Sequence, residues 1–85
     1  MQEFNRILLI EDNNNLGYAL SEYLKLHCYD VTWIREGKSA IRAFTIESFH
    51  LVLLDVMLPH LDGFEIAQQF KLINPMVPII SLSTL

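Results

Sequence analysis

Four short apolar runs punctuate the chain: Ile7-Leu8-Leu9-Ile10, Val31-Thr32-Trp33-Ile34, Leu51-Val52-Leu53-Leu54 and Ile79-Ile80-Ser81-Leu82. Each is too short for a helix and rich in branched or aromatic residues, the pattern of strands buried on both faces of a parallel sheet. Between them the period changes. Leu16, Leu20, Tyr23 and Leu24 recur at helical spacing behind Asn13-Asn14-Asn15, residues suited to capping a helix start. Ala40, Ile41 and Phe44 form a second, shorter stripe after Gly37, and Ile66, Phe70 and Ile73 form a third. The third is opened by Asp62-Gly63 and stopped near Asn74-Pro75. Strands and helices thus alternate, with a strand at each end of the series. That order predicts an α/β parallel sheet with right-handed crossovers. There is no internal repeat and no low-complexity linker, and 85 residues make one domain at most.

Composition mainly excludes. Six basic against ten acidic side chains give a net charge of −4, which offers no basic footprint for nucleic acid or an anionic membrane. The single cysteine, Cys28, cannot form an internal disulfide, and no Cys/His spacing resembles a zinc site. A reducing cytoplasm is therefore the expected compartment. Met1 to Arg6 lacks the basic-then-apolar pattern of a secretory signal. The apolar runs fall far short of the ~20 residues that a membrane helix needs.

In an open parallel sheet, ligands gather beyond the carboxyl ends of the strands, where the strand order reverses. The residues leaving those ends here are acidic: the first strand runs into Glu11-Asp12 and the third into Asp55. If those two strands are neighbours, three carboxylates converge on one crevice, and their repulsion raises at least one pKa. Acidic residues after strands are also ordinary solvated loop charges, and Glu11-Asp12 alone does not separate the two readings. A hard divalent cation would resolve the repulsion. Mg²⁺ takes oxygen ligands, keeps waters and shares its shell with phosphate. No basic residue is expected near these strand ends, which favours a metal as the neutraliser. The stretch from Asp55 to Gly63 adds specificity: an acid at the strand end, Pro59 four residues on, and Asp62-Gly63 before a helix. A fixed proline and a tight Asp-Gly turn would aim the Asp55 side chain and the Met57 carbonyl.

On these residues the sequence resembles the receiver domains of two-component response regulators. Ile7 through Asn13 is similar to the family's first strand and acidic pair, and Leu53 through Gly63 to its phosphorylation motif. Pro78 through Thr84 is similar to its fourth strand, with Ser83 at the switch-hydroxyl position. The resemblance implies a flavodoxin-like (CheY-like) doubly wound parallel sheet whose strands, numbered along the chain, stand in the order 2-1-3-4. It implies that Asp55 accepts a phosphoryl group from a sensor histidine kinase. Asp12, Asp55 and the Met57 backbone carbonyl would hold Mg²⁺, with Glu11 helping through water. Ser83 would turn inward onto the phosphoryl group, and Pro59 and Gly63 would shape the loop. Such a module catalyses only its own phosphorylation and dephosphorylation. The run Asn15-Leu16-Gly17-Tyr18-Ala19-Leu20 resembles receivers of the OmpR/PhoB type. These carry a winged-helix domain, so DNA and transcription regulation would be reached only through an output domain outside this chain.

Against the family pattern, the fourth helix, fifth strand and fifth helix have no counterpart, and the fold is expected to be incomplete. Residues 1–85 therefore read as the first two thirds of a receiver, without the lysine that ends the family's fifth strand. Such a chain would bare the edge of Ile79–Leu82 and uncover apolar surface over the first, third and fourth strands. A homodimer or element-sharing oligomer is then expected. Cys28 stands where such helices often end in glycine, and it reads as a small, buried or half-buried residue. His27, His50 and His60 share no ligand spacing and read as surface or helix-end residues, with His60 placed to touch a kinase. Trp33, Phe44, Phe49, Phe64 and Phe70 read as core or helix-facing aromatics, and Lys38 and Arg42 as solvated residues of the second helix.

Other functions fit less well. An aspartate-nucleophile phosphatase of the haloacid-dehalogenase type wants a second aspartate two residues after the first, where this chain has Met57. A flavin- or nucleotide-binding flavodoxin relative wants a Gly- or Ser/Thr-rich phosphate loop, where this chain has Glu11-Asp12-Asn13-Asn14-Asn15. A non-phosphorylated dimerisation module has no need of the acids, and all are present.

Overall fold

The computed structural model describes residues 5–55 and 62–82. Strands β1 (Arg6–Ile10), β2 (Asp30–Ile34), β3 (Leu51–Leu54) and β4 (Ile79–Ser81) alternate with helices α1 (Asn14–Leu26), α2 (Gly37–Ile46) and α3 (Gly63–Ile73). Every strand pairing is parallel, and the sheet order is β2-β1-β3-β4. Both the element order and the strand order match the expectation.

Local chemistry explains where the helices begin. The Asn13 side chain accepts a hydrogen bond from the Leu16 N–H at 2.9 Å and so satisfies one orphan donor of α1. Asp62 does the same for α3, accepting from the Phe64 N–H at 2.9 Å. Helix α2 has no side-chain cap; Glu36 stands extended before it.

The sheet divides its side chains by parity. Leu8 and Ile10 of β1 pair with Val52 and Leu54 of β3 and face α2 and α3, where Ala40, Phe44, Ile66 and Phe70 complete the main core with Phe49 and Val77. The Phe44 and Phe70 rings meet at 4.4 Å between centroids, tilted by 31°. Ile7 and Leu9 face the other way, with Trp33 of β2 opposite Leu9. Helix α1 lies over β1 and β2 on that side. There the approach is close: a Cβ on Gly17 would sit 2.1 Å from the Trp33 ring, so only glycine lets the helix pass at this point. One helix on one face and two on the other give the doubly wound arrangement.

Several expectations are corrected. The strands are not all buried on both faces: β1 is buried from Ile7 to Ile10, whereas the edge strand β2 is only half-buried. Strand 1 was expected to be partly uncovered, and it is fully covered. The uncovered apolar surface lies at half-buried Leu51 and Leu53 and at Ile80, which is 51% exposed, because α1 sits over β1 and β2. Half of the α1 stripe also turns outward: Leu16 and Tyr23 are exposed, Leu20 and Leu24 are half-buried, and Gly17 and Ser21 face inward. Phe64 is exposed, because its place in the first turn of α3 points away from the face that Ile66 and Phe70 bury. His50 is half-buried: its Nδ1 accepts from the Arg6 N–H at 3.2 Å, and its own N–H donates to the Arg6 carbonyl at 2.8 Å, tying the starts of β1 and β3.

Cys28 is exposed, contrary to expectation, and has φ of 70°. The cause is the end of α1. The Cys28 N–H donates to the Lys25 carbonyl at 3.0 Å and the Tyr29 N–H to the Leu24 carbonyl at 3.1 Å, a closure that requires a left-handed residue between them. A side chain there costs about 1 kcal/mol or more relative to glycine. Cys28→Gly is therefore expected to stabilise the fold by about 1 kcal/mol, read as a higher urea midpoint at unchanged slope. A lower midpoint would show that the turn holds no such strain.

Candidate functional site

The in-register pairing of Ile10 with Leu54 fixes the site. Beyond it the ladder continues for one step, with the Asp55 N–H donating to the Ile10 carbonyl at 3.0 Å and the Glu11 N–H to the Ile34 carbonyl at 3.1 Å. Glu11 and Asp55 thus leave adjacent strands side by side, and Asp12 follows. One carboxylate oxygen from each of the three lies within 4.8 Å of the others.

Their environments differ. Asp12 and Asp55 are half-buried, while Glu11 is only 2% exposed. Glu11 Oε2 accepts from the Asn13 N–H at 3.1 Å. Among the described residues, no donor reaches the buried Glu11 Oε1, and the Asp55 carboxylate is its close neighbour. Burial, and then the neighbouring carboxylates of Asp55 and Asp12, hold Glu11 above its ordinary value of 4.5, against the pull of the Asn13 N–H. The rise falls on the most buried of the three acids, and burial contributes more to it than the crowding that the sequence led one to expect. A buried carboxylate oxygen without a donor has two remedies, a proton or a cation. The donors here are all hard oxygens, a set suited to Mg²⁺ and similar ions.

Two side chains that the sequence reading did not assign to the site reach its backbone. Trp33 Nε1 donates to the Glu11 carbonyl at 2.9 Å, and the Arg35 guanidinium donates to the Asp12 carbonyl at 3.0 Å. The second contact corrects the expectation that no basic residue lies near these strand ends. Arg35 follows β2, which the sheet order places beside β1. Of the other expected site residues, Gly63 is the buried first residue of α3, held there by the Asp62 cap instead of by a glycine-only turn. Met57, Pro59, His60 and Ser83 lie outside the described residues.

Residues 7–85 match the family described as response regulator receiver domain. The chain belongs to that family. It is 41% identical over 83 residues to the transcriptional regulatory protein RprY of Bacteroides fragilis, covering 98% of this chain and 35% of that protein. The receiver chain thus spans about a third of the length of this curated relative. Among solved structures, the receiver domain of sensor histidine kinase PA1611 from Pseudomonas aeruginosa, with a magnesium ion coordinated in its active-site cleft, superimposes with a TM-score of 0.85 at 30% identity. That match covers 91% of this chain and 65% of the other. The complex of histidine kinase ThkA with response regulator TrrA of Thermotoga maritima gives a TM-score of 0.84 at 28% identity over 91% and 66% of the two chains.

Proposed function

We propose that this receiver takes a phosphoryl group on Asp55 from a sensor histidine kinase and passes the change to an output that regulates transcription. The observation that carries the reading is the three-carboxylate cluster where β1 and β3 end, with a buried Glu11 oxygen that no donor reaches among the described residues. Membership of the receiver family, the magnesium in the PA1611 cleft and the kinase in the ThkA–TrrA complex support it. So does the transcriptional role in the name of RprY.

Asp12, Asp55 and the Met57 carbonyl would hold Mg²⁺, with Glu11 assisting. Bound there, Mg²⁺ would supply positive charge to meet that of the phosphoryl oxygens. Asp55 attacks phosphorus, the P–N bond of the kinase phosphohistidine breaks, and its electron pair returns to the imidazole. Glu11 and Asp12 fix the geometry from the neighbouring strand, and most of the rate comes from that positioning. Pro59 and Gly63 hold the loop after Asp55, and Ser83 closes onto the phosphoryl group. The domain turns over no external substrate beyond its own phosphorylation and loss of phosphate.

Residues 1–85 act as the first two thirds of the domain, and DNA is met through an output domain. The setting is the cytoplasm; among the described residues no helix is long and apolar enough to cross a membrane. The half-open surface at Leu53 and Ile80 makes association of the isolated chain with a second copy the expected state.

Treatment with acetyl phosphate and Mg²⁺, borohydride reduction and peptide mapping test the central assignment. Modification should fall on Asp55 alone. Modification of Glu11 or Asp12 in its place would overturn it.

A further inference from the structure

We infer that Trp33 and Arg35 are positioning residues of the acid site, which set its affinity for a divalent cation by fixing the backbone of Glu11 and Asp12 from β2 and the residue that follows it. The inference rests on the proposed metal at that cluster and goes beyond it to residues that touch neither metal nor phosphate.

The argument begins with the junction after β1. Among the described residues, Glu11 and Asp12 are joined to β2 and the residue after it by three hydrogen bonds: from the Glu11 N–H to the Ile34 carbonyl, from the Trp33 indole to the Glu11 carbonyl and from the Arg35 guanidinium to the Asp12 carbonyl. The strand pairing accounts for the first. The other two come from side chains, and they hold the carbonyls on the two peptide units that orient the acid pair. Trp33 is itself fixed. Its ring lies where a Gly17 Cβ would stand, and opposite Leu9 in the sheet, so the indole has little freedom to leave the Glu11 carbonyl. Arg35 is exposed and is anchored at its guanidinium.

Groups that orient ligands from outside the coordination shell change metal affinity even though they never touch the ion. For a crowded acid cluster the geometry matters more, because small rotations of Glu11 or Asp12 change both the repulsion and the bite offered to a cation. The charge on Arg35 sharpens the test. A nearby cation that acted through charge alone would oppose a second cation, so its removal would tighten metal binding. A positioning role predicts the reverse.

Mg²⁺ binding to wild type, Trp33→Phe, Arg35→Gln and the solvated control Arg42→Gln would be followed by calorimetry, with urea midpoints measured in EDTA. Trp33→Phe keeps an aromatic ring and loses the N–H. It should weaken Mg²⁺ by about tenfold, and Arg35→Gln by about threefold, while Arg42→Gln leaves binding unchanged. Because Arg35 is exposed, its arm of the test stands even if Trp33→Phe lowers the urea midpoint. Wild-type binding with Trp33→Phe and Arg35→Gln unchanged, or tighter binding by Arg35→Gln, would overturn the positioning role and leave the metal site standing. Absence of binding by the wild type would overturn the metal site itself.

Discussion

Asp55→Asn should give a folded chain that gains no phosphoryl group from acetyl phosphate and is more stable than the wild type when divalent cations are removed. The first effect follows from chemistry. The amide is a poor nucleophile, and no other carboxylate leaves β3 at this point. Labelling should fall to the level of unreacted protein. The second follows from electrostatics. Asp55 is one of the two carboxylates that hold Glu11 above its ordinary value. Replacing it with an uncharged amide removes like charge from a half-buried cluster and gives Glu11 a hydrogen-bonding neighbour that need not be protonated. Sites arranged for function commonly hold such strain, and relieving it is worth on the order of 1 kcal/mol. Urea unfolding in EDTA at neutral pH reads the gain. Label at the wild-type level in Asp55→Asn would remove Asp55 from its role, and a lower urea midpoint would show that the cluster is not strained.

The parts of this fold that were legible in the sequence are those set by local pattern. The four apolar runs became strands because a buried parallel strand needs apolar residues on both faces or nearly so, and Asn13 and Asp62 became caps because their side chains reach back to the helix start. The acid site was legible for a related reason: Glu11 and Asp55 stand directly after strands and Asp12 one residue later, so strand order alone decides whether they meet. Strand order itself is a tertiary property, and only the family resemblance supplied it.

What was missed depends on packing between distant segments. Trp33 and Arg35 act on backbone carbonyls, and an acceptor that every residue carries leaves no mark in the sequence. Trp33 could have been found by counting parity along β2, which places it on the same face as Leu9 and, one step further along β1, Glu11. The outward turn of Leu16 and Tyr23 depends on a tryptophan meeting Gly17, and periodicity cannot see it. Cys28 was misjudged because residue type suggested burial while the helix end imposed exposure and a left-handed backbone.

Mg²⁺ and protons should compete for the same oxygens, and the sign of the competition is fixed by Glu11. Its folded-state value is raised from 4.5, so the folded chain binds more protons than the unfolded one between 4.5 and that raised value. Stability from this group is therefore greatest at low pH and is lost as pH rises through the raised value. Without metal, Glu11→Gln should gain stability relative to wild type as pH rises toward neutrality, and the gap should close near 4.5. With Mg²⁺ the order changes. Ionised Glu11 and its neighbours then favour the cation, and binding at a hundredfold excess over Kd stabilises the folded state by about 2.7 kcal/mol. That stabilisation should shrink as pH falls through the raised Glu11 value, because protonation of the buried oxygen removes the charge that the cation meets. Asp12→Asn should lose most of the Mg²⁺-dependent gain at neutral pH. Glu47→Gln serves as the control: Glu47 pairs with Arg6, at the opposite end of β1 from the acids, so it should keep the full gain even if its baseline falls slightly. Thermal melts across pH, with Mg²⁺ or EDTA, carry the whole comparison. A Mg²⁺ effect that is independent of pH, or equal in Asp12→Asn and Glu47→Gln, would place the cation somewhere other than the three acids.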